Sequence, residues 1–156
     1  MADVEIVEQS AQLAKAIDFV EHERLDLAEP IFSALYEADP ANPVAESFMG
    51  LMTALQRKQL MQGLDMCKAA LQKDSEEPLC YLNLAKVHIA LEDRYHAIKA
   101  LNRGLKSRSR NRGYVAAYYK KIGVRRKARI PFLDRKNPIN RFLGKLTFRG
   151  GGARVR

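Results

Sequence analysis

Small residues recur at a fixed interval in a chain whose apolar residues follow helical spacing. Ala28, Gly63 and Ala97 are 35 and 34 residues apart, and each lies four positions before an apolar residue: Phe32, Cys67 and Leu101. A period of roughly 34 residues is typical of stacked helix pairs, because one pair cannot bury its apolar face without a neighbour. The sequence therefore predicts an all-α fold built from repeated helix pairs.

The ends of the helices can be predicted from local signals. Apolar residues recur at helical spacing through residues 9–106, and no stretch alternates as a half-buried strand does. Proline-containing segments at Asp39–Pro43 and Glu76–Pro78 are predicted to end one helix and begin the next, and Asp26 with Glu29 predicts a capping box. The predicted helices are about 9–23, 27–38, 43–56, 60–73, 78–91 and 94–106. They form a predicted repeat domain, 9–111, after a lead-in, 1–8, with units of about 9–42, 43–77 and 78–111.

The third unit carries an alternation of large and small residues through both of its helices. Y-x-x-L-A-x-x-H begins at Tyr81, and A-x-x-x-L-x-x-G runs from Ala97 to Gly104. The second unit follows the pattern at Met49, Gly50, Thr53, Gly63, Cys67 and Ala70. Residues 9–109 thus resemble the tetratricopeptide repeat family, with Glu46 at a position where the family has an aromatic residue. The resemblance implies a right-handed superhelix of three helix-turn-helix repeats.

The resemblance also implies a partner-binding groove lined by the first helix of each unit. The positions carried over are Leu13, Ile17, Val20, Ser47, Leu51, Ala54, Leu82, Lys86 and Ile89. Because this set is mainly apolar, the expected ligand is an apolar or amphipathic segment of another polypeptide. The alternative is that some of these residues pack against neighbouring helices or the chain's own tail. The expected function is that of a non-catalytic adaptor or chaperone-like protein, with its oligomeric state left open.

Charge divides the chain into an acidic body and a basic tail. Residues 1–99 contain 9 Lys or Arg and 17 Asp or Glu, whereas residues 100–156 contain 18 and 1. A seventh, capping helix is predicted within residues 112–123, followed by a basic tail, 124–156, with a short helix at 138–146. We predict that residues 128–146 dock on the acidic body through three apolar anchors: Phe132, Leu133 and Phe142.

The same basic region supports a competing interpretation, in which the tail binds nucleic acid or an acidic membrane surface. Tyrosines lie among the basic residues, a mixture that single-strand binding proteins use for phosphates and base stacking. The candidate nucleic-acid contacts are Arg108, Arg110, Arg112, Arg125, Arg126 and Lys127. No recognisable RNA-binding motif accompanies them, so this interpretation ranks second.

Residues that could carry chemistry are few and lack a recognised spacing. The two cysteines and three histidines form no known metal motif, no nucleophile has a base partner, and no glycine-rich loop joins a strand to a helix. We therefore expect no catalytic residue, no metal and no cofactor, and His88 is expected to be a packed core imidazole. The sequence has no signal-peptide pattern and no apolar stretch of membrane length, which favours a cytoplasmic protein without a transmembrane segment.

Overall fold

The computed structural model describes residues 2–123, with side chains from residue 10 onward. Over this range the chain is all-helical and contains no strand, which confirms the all-α prediction. The helices are α1 (Ala2–Glu21), α2 (Leu25–Ala38), α3 (Pro43–Leu55), α4 (Leu60–Lys73), α5 (Pro78–Ala90), α6 (Arg94–Gly104) and α7 (Arg112–Lys121). Six of the seven agree with the predicted bounds to within two residues at each end, whereas α1 begins at Ala2 and includes the predicted lead-in.

Two of the helix starts follow directly from the proline-containing segments. The side chain of Asn42 accepts hydrogen bonds from the backbone N–H groups of Val44, at 2.9 Å, and Ala45, at 3.1 Å, at the start of α3. Glu77 accepts one from the Leu79 N–H at 3.1 Å at the start of α5. Since the first amides of a helix have no partner within it, these side chains stabilise the two starts.

The predicted capping box of α2 is wrong. The residue before the helix is Arg24, and its side chain makes no capping hydrogen bond. Asp26 lies inside the first turn, and Glu29 instead forms an ion pair with Arg57 at 3.0 Å. That pair joins α2 to the connection after α3, so a contact across 28 residues replaces the local one.

The small residues of the period lie at closely packed positions. Ala28, Gly63 and Ala97 are buried, and so are the apolar residues that follow them by four positions. The two helices α3 and α4 approach each other most closely at Gly63. A Cβ added there would lie 2.6 Å from the Ala54 Cβ and would also overlap the Gly50 carbonyl oxygen. The small residues therefore allow α3 and α4 to pack with their backbones almost in contact.

The pairs follow one another in a repeat-like order. Each helix packs against the next from α1 to α7, with α3 also against α5 and α5 against α7. Between the first two pairs, the rings of Phe32 and Phe48 stack with centroids 3.9 Å apart. At the other end, Val115 of α7 is fully buried and lies against Gly104. One apolar core thus continues through all the pairs.

None of the described helices combines the length and apolar composition that crossing a membrane requires. The predicted tail, residues 124–156, and its short helix lie outside the described residues.

Candidate functional site

A cleft of about 650 Å³ lies between the carboxyl ends of α1, α3, α5 and α7. Its apolar lining consists of Val20, Leu25, Leu51, Leu55, Ile89 and Ile122, together with Ala90. Its polar lining consists of Glu21, Glu23, Lys58, Lys86, Lys121 and Tyr118. The cleft therefore has an apolar surface bordered by charges of both signs, and every odd-numbered helix contributes to it.

The most buried charge in the cleft is Lys86 of α5. Its side chain is only 10% exposed, and Nζ pairs with Oε1 of Glu21 at 2.6 Å, joining α5 to α1. The same Nζ lies 5.4 Å from the centre of the Tyr118 ring of α7, within cation–π range. Burial lowers the pKa of Lys86, while the Glu21 charge opposes that shift. One ammonium group thus connects three helices in an environment that disfavours its charge.

The rim of the cleft carries a weaker ion pair. Lys121 and Glu23 are 3.6 Å apart and both are exposed, so their attraction contributes little to stability.

Tyr118 is half-buried in the cleft. Its burial raises the pKa of its phenol, and the nearby Glu21 charge raises it further. Tyr118 therefore stays neutral near pH 7 and can donate a hydrogen bond.

The nine predicted groove residues divide into three groups. Val20, Leu51, Lys86 and Ile89 line the cleft. Leu13 is half-buried, and four residues are buried away from the cleft: Ile17, Ser47, Ala54 and Leu82. Ser47 accepts a hydrogen bond from Asn83 at 3.0 Å inside the core. Val20 and Leu51 are also buried although they border the cleft, so packing between helices describes six of the nine positions.

The structure adds cleft residues that the sequence interpretation missed. Glu21 lies at the end of α1, beyond the last position carried over, and Tyr118 and Ile122 come from α7 and the residue that follows it. The available signal was the seventh helix itself, which was predicted only as a cap within residues 112–123. Tyr118 and Ile122 instead line the cleft.

The other predicted site residues lie away from the cleft or outside the described chain. Arg108 and Arg110 are exposed in the connection between α6 and α7, and Arg112 is exposed at the first position of α7. The remaining basic candidates and the tail anchors fall outside the described residues: Arg125, Arg126, Lys127, Phe132, Leu133 and Phe142. Nucleic-acid binding and tail docking stay predictions.

Both cysteines are buried free thiols in the core. Cys67 donates to the carbonyl oxygen of Ser47 and Cys80 to that of Pro43, each at 3.4 Å. Burial raises the pKa of both thiols, that of Cys80 to about 12. Because the thiolate is the reactive form, neither cysteine is activated as a nucleophile near pH 7.

The ion pair in the cleft allows a first prediction. Replacing both partners with uncharged residues of similar shape, Lys86→Met with Glu21→Gln, should leave the free energy of unfolding unchanged or raise it by up to about 2 kcal/mol, because burial of the ammonium is no longer needed. Glu21→Gln alone should be the least stable variant, since it leaves the buried ammonium unpaired. Urea unfolding of the two single variants and the double variant measures the difference. A double variant less stable than either single variant would contradict the prediction.

The whole sequence was also compared with known proteins. No protein-family model matches the chain, and no curated protein is similar to it at a significant level. The geometry of the described helices therefore carries the functional argument.

Proposed function

We propose that the chain is a tetratricopeptide-type repeat protein that binds an apolar or amphipathic segment of another polypeptide in the cleft and catalyses no reaction. The observation that carries this proposal is a cleft of about 650 Å³ formed mainly by the first helix of each pair and α7, with Leu25 at the start of α2. Such a volume is within the usual range for ligand sites. Its role is then that of an adaptor or a chaperone-like protein.

The repeat assignment is supported by packing at matching positions. Ala28, Gly63 and Ala97 recur in phase and are all buried, and Gly63 faces Gly50 where the two helices of the second pair meet. Close helix contact at small residues is what the resemblance to tetratricopeptide repeats implies. Helix α3 packs against α5, and α5 packs against α7, as expected for helix pairs that stack in one direction.

The lining of the cleft favours a particular class of ligand. Leu55, Ile89 and Ile122 are half-buried, so an apolar side chain placed against them would remove further apolar surface from water. Lys86 can donate three hydrogen bonds, and Glu21 accepts one of them. A peptide carbonyl or carboxylate can accept another. A segment with an apolar residue beside an acceptor therefore fits both parts of the cleft.

The burial of the Lys86 ammonium group in the cleft supports this proposal. An ammonium group held where burial lowers its pKa is seldom the most stable choice for a core position. Perturbed ionisable groups in clefts are enriched at functional sites. Lys86 is therefore the residue we assign to ligand recognition rather than to folding.

The prediction for binding is that Ile89→Arg weakens peptide affinity at least ~10-fold, because the loss of one apolar contact and the added charge are each worth about 1 kcal/mol or more. The probes are peptides selected from a random library against the full-length protein, with a peptide of residues 128–146 included. Fluorescence polarisation gives the dissociation constants. The matched control is Met61→Arg, since Met61 is 61% exposed on α4 and is not part of the cleft.

The outcomes separate the alternatives. Selected peptides that are rich in apolar residues and sensitive to Ile89→Arg, but not to Met61→Arg, support the proposal. Peptides that bind both variants equally well would overturn it. Salt-dependent binding of mixed RNA that Ile89→Arg leaves unchanged would instead favour the nucleic-acid alternative, because release of counterions from phosphates gives a steep salt dependence.

A further inference from the structure

Three side chains with metal-binding donor atoms meet at the turn between α5 and α6. His88 lies near the end of α5, Asp93 is the residue before α6, and His96 is in the first turn of α6. One potential ligand atom of each lies within 4.8 Å of the other two. Oδ2 of Asp93 is 2.6 Å from Nδ1 of His96 and 3.4 Å from Nδ1 of His88.

The turn itself holds these groups together. The backbone N–H of Asp93 donates to the carbonyl oxygen of His88 at 2.9 Å, and Glu92 adopts a left-handed conformation with φ of 61°. Oδ1 of Asp93 accepts a hydrogen bond from the His96 N–H at 3.1 Å and so caps α6. The second oxygen, Oδ2, remains directed at the two imidazole rings. One carboxylate thus has an oxygen that caps the helix and an oxygen that is hydrogen-bonded to His96 Nδ1, a contact that a metal ion would have to replace.

His88 supplies a second, independent observation. Its side chain is only 12% exposed, and its Nδ1 is buried without a hydrogen-bond partner in the described chain. Buried polar nitrogens are nearly always satisfied in folded proteins, so one that is not requires an explanation. This nitrogen lies beside Asp93 Oδ2, where a bound ion would satisfy it.

We propose that Nδ1 of His88, Oδ2 of Asp93 and Nδ1 of His96 bind a divalent transition-metal ion, with Zn²⁺ the best match. Two imidazoles and a carboxylate are ligands that zinc prefers, at bond lengths near ~2 Å. Ligand atoms around tetrahedral zinc are therefore about 3.3 Å apart. The Asp93–His88 separation already matches this value, and the Asp93–His96 separation must widen by about 0.7 Å to reach it. The donor atoms of the two histidines lie within 4.8 Å of each other and must come to the same separation. Zinc then takes the place of the proton that lies between Oδ2 and His96 Nδ1. The neutral imidazole carries its single proton on Nε2 instead.

The neighbouring cavity leaves room for a fourth ligand. It has a volume of about 340 Å³, lies among α4, α5 and α6, and is lined by both histidines. Lys68, Lys99 and Arg103 also line it, and these positive charges favour an anionic fourth ligand over a neutral one. The site is separate from the cleft, so zinc binding can be tested independently of peptide binding.

The test is a calorimetric titration of the full-length, chelator-treated protein with ZnCl₂. One ion should bind per chain, and Asp93→Asn and His96→Ala should each weaken binding by at least the ~10–100-fold that loss of even an outer partner of a metal site costs. The Asp93→Asn substitution preserves the cap of α6, since asparagine caps helices as well as aspartate does. His96 is exposed, so its replacement leaves the core unchanged.

The matched control is His22→Ala. His22 also pairs with an aspartate four residues away, at 3.4 Å from Asp18, but it has no third ligand nearby in the described chain. The His22→Ala substitution should leave zinc affinity unchanged. Titration with Co²⁺ provides a second readout, since visible absorption bands that disappear in His96→Ala report direct imidazole ligation. Absence of saturable binding to the unsubstituted protein, or equal losses in His22→Ala and His96→Ala, would overturn the proposal.

Discussion

Replacing Phe32 with alanine should lower the free energy of unfolding by about 3–5 kcal/mol, the largest effect that we expect from a single substitution in this chain. The Phe32 ring is completely buried and stacks on Phe48 with an interplanar angle of 9°. The pair joins α2 to α3, and therefore the first helix pair to the second. A domain of this size is stable by about 5–15 kcal/mol in total, so the loss is a large fraction of it.

Urea unfolding followed by circular dichroism measures this effect. Tyr95→Ala is the control, because Tyr95 is 71% exposed and its removal should change stability by less than about 0.5 kcal/mol. Stacked pairs are stabilised mainly by their neighbours, so Phe32→Ala should also raise hydrogen exchange in α1 and α2 more than in α5 and α6. A uniform increase along the chain would show that the pairs do not behave as separable units.

The course of the backbone could be predicted because its signals are local. Asn42 with Pro43, and Glu77 with Pro78, place a side-chain acceptor and a proline next to each other, and both begin helices as expected. The capping box at Asp26 and Glu29 met the same local rule but failed. Glu29 reaches Arg57, a partner 28 residues away, and α2 begins at Leu25 instead. Sequence spacing shows which residues can cap a helix but not which distant residue competes for them.

The cleft was only partly predictable because its walls come from distant parts of the chain. The Lys86–Glu21 pair spans 65 residues, and Tyr118 reaches the same ammonium from α7. A helical face can be read from periodicity, but whether a neighbouring helix covers that face depends on how the pairs stack. This is why Leu82 is buried in the core, whereas Ile89, two turns further along α5, lines the cleft.

The proposed metal site was missed for a different reason. His88, Asp93 and His96 have no recognised ligand spacing, and His88 occupies an inward position of its helix. The turn between α5 and α6 reverses the chain and brings the three together. A search for histidines and carboxylates on either side of each predicted turn, rather than within one helix, would have found them.

Replacing Gly63 with alanine should lower the free energy of unfolding by about 1–3 kcal/mol, although alanine is the better helix former. The new Cβ would lie 2.6 Å from the Ala54 Cβ and 2.9 Å from the Ala54 backbone nitrogen, and it would overlap the Gly50 carbonyl oxygen. Backbone atoms cannot move aside as a flexible side chain can, so α3 and α4 must separate. Thermal or urea unfolding measures the loss.

Gly113→Ala makes the same chemical change in α7 and is the matched control. Its added Cβ meets no atom within 4 Å, so only the helix preference acts, and because Gly113 lies in the first turn, stability should rise by no more than about 0.5–1 kcal/mol. Opposite signs for the two substitutions would show that Gly63 is required by the contact between helices and not by backbone conformation. If Gly63→Ala also stabilised the protein, the two helices could not be as close as the structure has them. The small residue at the same point of each pair would then have no packing role, and the periodic pattern would lose its physical basis.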